Sequence, residues 1–354
     1  MRICYLNITK NIPARDSSYL KGLRENGAEI IDIRDHTPGL KKFQNLYKKH
    51  KEVANNYDLL WVGYSAHILV PFARLITRKP VVFNSLLSFY EGKIVSRKQG
   101  TWYSPMGIYC WLVDFLAFNS ATLNLIENQA TIDYISKSFL VPKRKMLITH
   151  TGVNEDDFFF NPSISKLPQF TVLFRGALLP DCGIEYFVEA AKILSNESIK
   201  FRLLGDGLLA PKVENALKIF NLKNFEWIKE RLDIADLRKK MQECHLQIGW
   251  LSDELRSLLS VEHKTFESLI MKIPFLHGRT PGIMELLKEN ETGFYCNLMD
   301  AKDLAKKIYE LKNNPELLDR VAENGYQLFN QKLRSNILAK VVLDYLKNKR
   351  IIKT

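Results

Sequence analysis

The chain has 354 residues, 46% of them hydrophobic and 25% charged, a composition with length for two domains and a core in each. Its 51 Lys and Arg against 39 Asp and Glu leave a net charge of +12, most of it in residues 1–168, where 22 basic side chains face 14 acidic ones. Disordered and membrane-spanning classes are disfavoured. The longest apolar run, Met106 to Phe118, falls short of the roughly 20 residues a spanning helix needs, contains Asp114, and reads as a buried helix.

Taken in chain order, strand-like apolar runs alternate with helix-length amphipathic segments, the pattern of parallel βαβ units. The opening MRICYLNITKN passes straight into a strand with no signal-peptide pattern, so the expected location is cytoplasmic. Strands are predicted at Arg2 to Leu6, Glu29 to Ile33, Leu59 to Gly63, Val81 to Asn84, Phe115 to Asn119, Ala121 to Leu125 and Met146 to Thr149. Among them, Leu40 to Val53 (LKKFQNLYKKHKEV) sets Phe43, Leu46 and Tyr47 among five lysines. It reads either as a basic amphipathic helix able to lie on the inner face of an anionic membrane, or as a solvated helix packed on its domain. Arg15 and Asp16 after the first strand, His67 beyond the third, and the Ser85 to Glu91 loop are candidates for presenting polar groups at a sheet edge, although a lone His is more often structural.

Two prolines interrupt the periodicity in FFFNPSISKLP, which predicts a boundary: residues 1–165 form one Rossmann-like domain and 166–333 a second. The second domain repeats the logic. FTVLFRG leads through a glycine-framed loop to the helix IEYFVEAAKILSN. KFRLLGDG and FEWI follow, Gly205-Asp206-Gly207 being a weak turn signal and Trp227 more a packing residue than a base platform. Helices from Asp300 to Leu311 and Pro315 to Phe329 precede a lysine-rich segment, 334–354, expected to cross back to the first domain.

The most informative stretch is Cys244 to Phe294. It reads as a buried strand, a polar loop, a helix carrying Lys264 and Glu267 one turn apart, the strand IPFLHG, and a loop Arg279-Thr280-Pro281-Gly282 that opens another helix. Ligands of open α/β sheets bind at the carboxyl ends of the strands, where a helix N-terminus receives a phosphate. A carboxylate such as Glu267 there suits a ribose diol. Opposite it, Phe174-Arg175-Gly176 to Gly183 is either an ordinary tight turn or a diphosphate cradle. Five scattered cysteines lack metal or disulfide spacing, and no hydrolase triad, P-loop or His/Cys metal motif is present, so no metal is expected. The lysines are not interleaved with aromatic stacking platforms, which ranks nucleic acid last among anionic partners.

With these residues in view, nearly the whole chain resembles the family 4 glycosyltransferases. PVVFNSLLSFYEGK, the Gly152 to Asn154 turn, VLFRGALLPDCGIEYFVEAAKIL, FRLLGDG, HKTFESLIMKIPFL and TPGIMELLKENETGFYC follow in that family's order. The resemblance implies two tandem doubly wound domains facing each other across a cleft, the GT-B architecture. It also implies a nucleotide-diphosphate sugar as donor, no cofactor besides it, no metal, and retention of anomeric configuration. The acceptor would be a glycan or lipid-linked hydroxyl, with peripheral contact to an anionic membrane. Glu267 would bind the ribose; Arg175, Gly176, Thr280, Pro281, Gly282 and Ile283 would line the diphosphate site; Lys264 matches the lysine of the family's Asn-Lys-x-x-Glu branch. Three departures stand out: Leu259 replaces the usual glutamate eight positions before Glu267, and Ala177 and Cys182 replace two usual cations. Lys264 and Arg279, with His67 on the first domain, are then the expected catalytic side chains. The alternative is a nucleotide-sugar-binding or scaffold protein that kept the fold without catalysis.

Overall fold

Strands buried on both faces read as unbroken apolar runs, and most of the 12 strands among the described residues are of that kind, with the sheet-edge strands Glu29–Asp32 and Phe225–Ile228 only partly buried. The computed structural model describes residues 1–352 and divides into two units, Met1–Asn154 with the segment from Leu333 onward, and Glu155–Lys332. The last two positions of the 334–354 segment lie outside the described residues.

In the first unit the strands are β1 (Arg2–Leu6), β2 (Glu29–Asp32), β3 (Leu59–Val62), β4 (Val81–Leu86), β5 (Leu123–Ile126) and β6 (Met146–Ile148). They form one parallel sheet in the order β2-β1-β3-β4-β5-β6. The crossover helices are α1 (Ala14–Glu25), α2 (Lys41–Val53), α3 (Leu69–Ile76), α4 (Pro105–Ser120) and α5 (Gln129–Phe139). Side chains from α2 to α5 cover one face of the sheet in a core that includes Leu46, Val70, Phe83, Phe118 and Phe139. The other face is covered by α1 and by the carboxyl-terminal helix (Ser335–Asn348), which contributes Leu338, Ala339, Val342 and Leu346. Those two helices approach so closely that a Cβ on Gly22 would lie 1.9 Å from the Ser335 carbonyl oxygen. The Ser18 and Ser335 hydroxyls meet across them at 2.9 Å.

In the second unit the strands are β7 (Phe170–Arg175), β8 (Ile199–Leu204), β9 (Phe225–Ile228), β10 (Leu246–Ile248), β11 (Phe275–Gly278) and β12 (Phe294–Cys296). They are parallel throughout, in the order β12-β11-β10-β7-β8-β9. The helices are α6 (Ile184–Ile193), α7 (Ala210–Phe220), α8 (Ile234–Gln242), α9 (Leu255–Leu259), α10 (His263–Ile270), α11 (Pro281–Met284), α12 (Ala301–Lys312) and α13 (Pro315–Leu328); the carboxyl-terminal helix is α14. Their starts are chemically marked. Asp233 caps α8, Asp300 caps α12, and Asn314 caps α13 ahead of Pro315.

Three readings of the sequence need correction. Phe115 to Asn119 is not a strand but the end of α4, whose entry is fixed by the Ser104 cap and Pro105 at its first position. The apolar helix itself is not buried: six of its large side chains are exposed. The division between units falls at Asn154, ahead of the proline-marked boundary at 165. Residues beyond it are tied to the second unit: Asn161 exchanges hydrogen bonds with Gln242, and Lys166 donates to the carbonyls of Gln242 and Cys244. Leu333 likewise belongs to the first unit.

Candidate active site

β7 leads on one side to β8 and β9 and on the other to β10, β11 and β12, so the chain reverses direction across the sheet between β7 and β10. That switch point is where doubly wound sheets bind ligands, beyond the strand carboxyl ends. The loops there hold one another. The Leu251 amide donates to the Cys182 carbonyl at 3.2 Å, and the Ser252 hydroxyl donates to the Asp181 carbonyl at 2.8 Å. The Leu178 amide donates to the Asp206 carbonyl at 3.1 Å, and the Trp227 indole N–H donates to the Gly205 carbonyl at 2.8 Å. Gly205 has φ +135°, and a Cβ there would lie 2.2 Å from the Gly176 carbonyl oxygen, so only glycine lets the two loops touch.

These loops border a cavity of about 700 Å³ lined by Gly176, Ala177, Gly205, Asp206, Arg231 and Asp233, among others. Its volume suits a small-molecule ligand. A cavity of similar size in the first unit, bordered by Met1, Asp58 and Pro80, lies at the amino ends of the strands and lacks this chemistry.

Beside the cavity the predicted residues are distributed unevenly. Arg175 and Glu267 form an ion pair, and burial lowers the Arg175 guanidinium pKa to about 10. Lys264 is buried at 6% exposure, with Nζ 3.9 Å from the Phe174 ring centroid and 3.9 Å from a Glu262 oxygen. Burial lowers its pKa, partly offset by Glu262. Arg279 is elsewhere: its side chain is 45% exposed and pairs with Glu289 at 2.9 Å. Thr280 is fully buried and its hydroxyl has no hydrogen-bond partner among the described residues. Pro281, Gly282 and Ile283 belong to α11, a single turn of helix in which Ile283 is a core residue. The helix expected to open at this loop is thus present, as a single turn.

Two further residues join this group, Glu262 and His277. The Glu262 carboxylate accepts the Trp250 amide at 2.8 Å and faces His277 Nε2 at 3.0 Å. Burial opposes its charge, but His277 and Lys264 outweigh that and bring its pKa below the ordinary value. The signals were a carboxylate two positions before Lys264 and a histidine inside an otherwise apolar strand. Buried polar groups are informative because they cost free energy unless paired. The three departures also have places: Leu259 is buried at the end of α9, Ala177 lines the cavity, and burial pushes the Cys182 thiol pKa to about 11.

In the first unit, His67 is 5% exposed, with Nε2 2.9 Å from the Leu87 carbonyl and 3.6 Å from Asp114. Asp114 in turn accepts the Ser88 hydroxyl and the Phe89 and Tyr90 amides, which braces the loop after β4. Burial raises the Asp114 pKa, partly offset by His67. Arg15 and Asp16 are completely buried, Arg15 donating to Asn84, Thr149 and Thr151, Asp16 accepting from Tyr5, Asn7, Tyr64 and Asn84. In α2, Leu46 is fully buried and Phe43 packs edge-on against Phe72 of α3, so those apolar residues serve the domain core. All five cysteines are free and buried. Among the described residues no cluster of His, Cys, Asp or Glu is arranged to hold a metal ion, and no helix is long and apolar enough to cross a membrane.

Two six-stranded parallel sheets with helices on both faces, one of them with a nucleotide-sized cavity at its switch point, define a GT-B protein. Residues 155–328, just under half of the chain, match the family described as glycosyl transferases group 1. An uncharacterised glycosyltransferase of Methanocaldococcus jannaschii is 27% identical over 183 residues, 52% of this chain, which spans about half (48%) of that relative. An N,N'-diacetylbacillosaminyl-diphospho-undecaprenol alpha-1,3-N-acetylgalactosaminyltransferase of Campylobacter jejuni is 23% identical over 87% of this chain and 83% of its own. Among solved structures, Anabaena HepE in complex with UDP and glucose superposes with a TM-score of 0.75 at 17% identity, covering 98% of this chain and all of that one.

Proposed function

We propose that this chain is a glycosyltransferase that moves a sugar from a nucleoside-diphosphate sugar to a hydroxyl of a lipid-linked or polysaccharide acceptor, with retention of configuration and without a metal ion. The carrying observation is the cavity beyond β7, β8 and β9 with the Arg175–Glu267 pair at its edge and buried Lys264 beside it. HepE's complex with UDP supports the donor class, and the Campylobacter transferase, named for a diphospho-undecaprenol substrate, supports the acceptor class. Peripheral contact with an anionic membrane belongs to the same reading.

In this reading Glu267 leaves Arg175 to accept the ribose hydroxyls, which frees the guanidinium toward the diphosphate. Lys264 supplies the nearest fixed positive charge, and Arg279 adds a second by exchanging Glu289 for phosphate oxygens. His67 is braced in its own unit and is given no step. The acceptor oxygen bonds to the anomeric carbon as the carbon–oxygen bond to the diphosphate breaks on the same face, and the hydroxyl proton passes to the departing phosphate oxygen. Preorganised cations stabilise that developing charge, and one such group is worth roughly a 100- to 1,000-fold change in turnover.

The test is transfer from labelled nucleoside-diphosphate sugars to a lipid extract in the presence of EDTA, with the product's anomeric configuration read by NMR. The donor's configuration should be retained, and Lys264→Ala should lower kcat by roughly 100-fold or more. An inverted product, or near-normal turnover by both Lys264→Ala and Arg279→Ala, would remove the proposal.

A further inference from the structure

α4 is apolar on both its faces. Its inward stripe consists of Gly107, Cys110, Asp114, Ala117 and Phe118, so Phe118 is the one large apolar side chain it buries fully in the core, while six others point to solvent. Met106, Ile108, Tyr109, Trp111, Leu112 and Leu116 are 36–57% exposed, and Trp102 and Tyr103 just ahead of the helix are 73% and 65% exposed. A helix that is apolar all round belongs in a core or a membrane, and a contiguous exposed apolar surface on a folded protein marks an interaction site. The inward stripe is held in place: the Gly107 position faces the Thr101 carbonyl, where a Cβ would lie 2.1 Å away, and Asp114 holds the loop after β4. Rotating the helix to bury Tyr109, Trp111 and the exposed aliphatic residues would break both contacts.

Charge identifies the occupant. Between residues 92 and 132 the acidic side chains are Asp114 and Glu127, and both are buried. The exposed charges there are Arg97 and Lys98 before the helix. At its other end Lys145 donates to the Asn119 carbonyl at 2.6 Å, next to exposed Arg144 and to Lys143, which pairs with Asp133 at 2.6 Å, with Leu140 73% exposed beside them. The same face of the sheet carries the lysines of α2. By count, the first unit has 27 Lys and Arg against 12 Asp and Glu, a net +15, whereas the second has 24 against 27. The whole positive excess therefore sits on the unit that carries the apolar helix. A Trp- and Tyr-rich apolar strip between two basic rims is complementary to the headgroup and upper acyl region of an anionic bilayer.

We propose that α4, with Trp102 and Tyr103, is a membrane-docking surface that lies in the interface of an anionic bilayer. It extends and rests on the membrane-side acceptor proposed above, and its test needs neither donor nor acceptor, so the two fail separately. The probe is co-sedimentation with phosphatidylcholine vesicles with and without phosphatidylglycerol. The wild-type chain should bind the mixed vesicles and not the neutral ones, and its tryptophan emission should be quenched by brominated lipid through Trp102 and Trp111. Ile108→Ser/Leu112→Ser/Leu116→Ser should bind the mixed vesicles roughly tenfold or more weakly, with an unchanged circular dichroism spectrum. Arg97→Glu/Lys98→Glu, which leaves the apolar strip untouched, should also weaken binding at low salt and make the remaining binding less sensitive to salt. No binding to mixed vesicles by the wild type, or binding unchanged in the triple variant, would overturn the proposal. So would light scattering showing a wild-type dimer that the triple variant converts to a monomer without any vesicle binding, since a second copy would then be the occupant.

Discussion

At the scale of single residues, the second unit concentrates buried charge around Glu262. Its carboxylate has three partners, the Trp250 amide, His277 and Lys264, and removing it would leave a lysine buried with no counter-charge. Breaking such a pair from one side costs roughly 3–5 kcal/mol, far above the usual effect of a surface change. Glu262→Ala should therefore lower the urea midpoint of the second unit markedly, while Glu262→Gln, which can still accept the Trp250 amide, should cost less. Equal midpoints for wild type and Glu262→Ala would contradict this. Lys264 and Glu267 were legible in the sequence because their spacing along one helix is a local property. Glu262 and His277 were not. They are brought together by the alignment of β10 with β11, and a strand's lateral partner is not written in its own residues.

At the scale of elements, the pairing of β7 with β10 contains a titrating clasp. The Thr171 amide donates to His245 Nδ1 at 3.0 Å, and the His245 amide donates back to the Thr171 carbonyl at 2.9 Å. Nδ1 can accept only while it carries no proton, and burial lowers the ring's pKa from 6.5 to about 4. With the folded value below the unfolded one, the unfolded chain binds more protons between pH 6.5 and pH 4. Stability should thus fall as pH drops through that window, by up to about 3 kcal/mol from this residue. His245→Gln should flatten the profile of denaturation midpoint against pH there, and a profile identical to wild type would assign the loss to other groups. The junction of α1 with α14 offers a steric counterpart. Because a Cβ at Gly22 would collide with the Ser335 backbone, Gly22→Ala should unseat α14 and lower the first unit's melting temperature, an effect absent if the helices can simply slide apart. Elements were largely readable because continuous apolar runs and caps announce them. α4 was misread for a physical reason: an apolar segment says that it avoids water in isolation, not which of its sides the fold will cover.

At the scale of the whole chain, the two units differ in composition and in task. The first is strongly basic and takes back the carboxyl-terminal helix; the second is nearly neutral and holds the cavity. Ending the chain at Arg334 would remove Leu338, Ala339, Val342 and Leu346 and expose the faces of Tyr19 and Leu23 in the core they share. Burial of each large apolar side chain contributes about 1.5–3 kcal/mol, so the first unit should lose its cooperative melting transition, while nucleotide binding by the second unit should survive. A truncated chain that melts like the full one would contradict the placement of α14. The most direct test of the account is calorimetric titration of nucleoside diphosphates, UDP first, into the full chain in EDTA. The account predicts one site per chain, with affinity reduced roughly tenfold or more by Glu267→Gln and by Gly205→Val, which fills the space between the two glycine loops. Absence of binding by every nucleoside diphosphate, or binding that neither substitution alters, would place the donor site somewhere other than beyond β7 and β8.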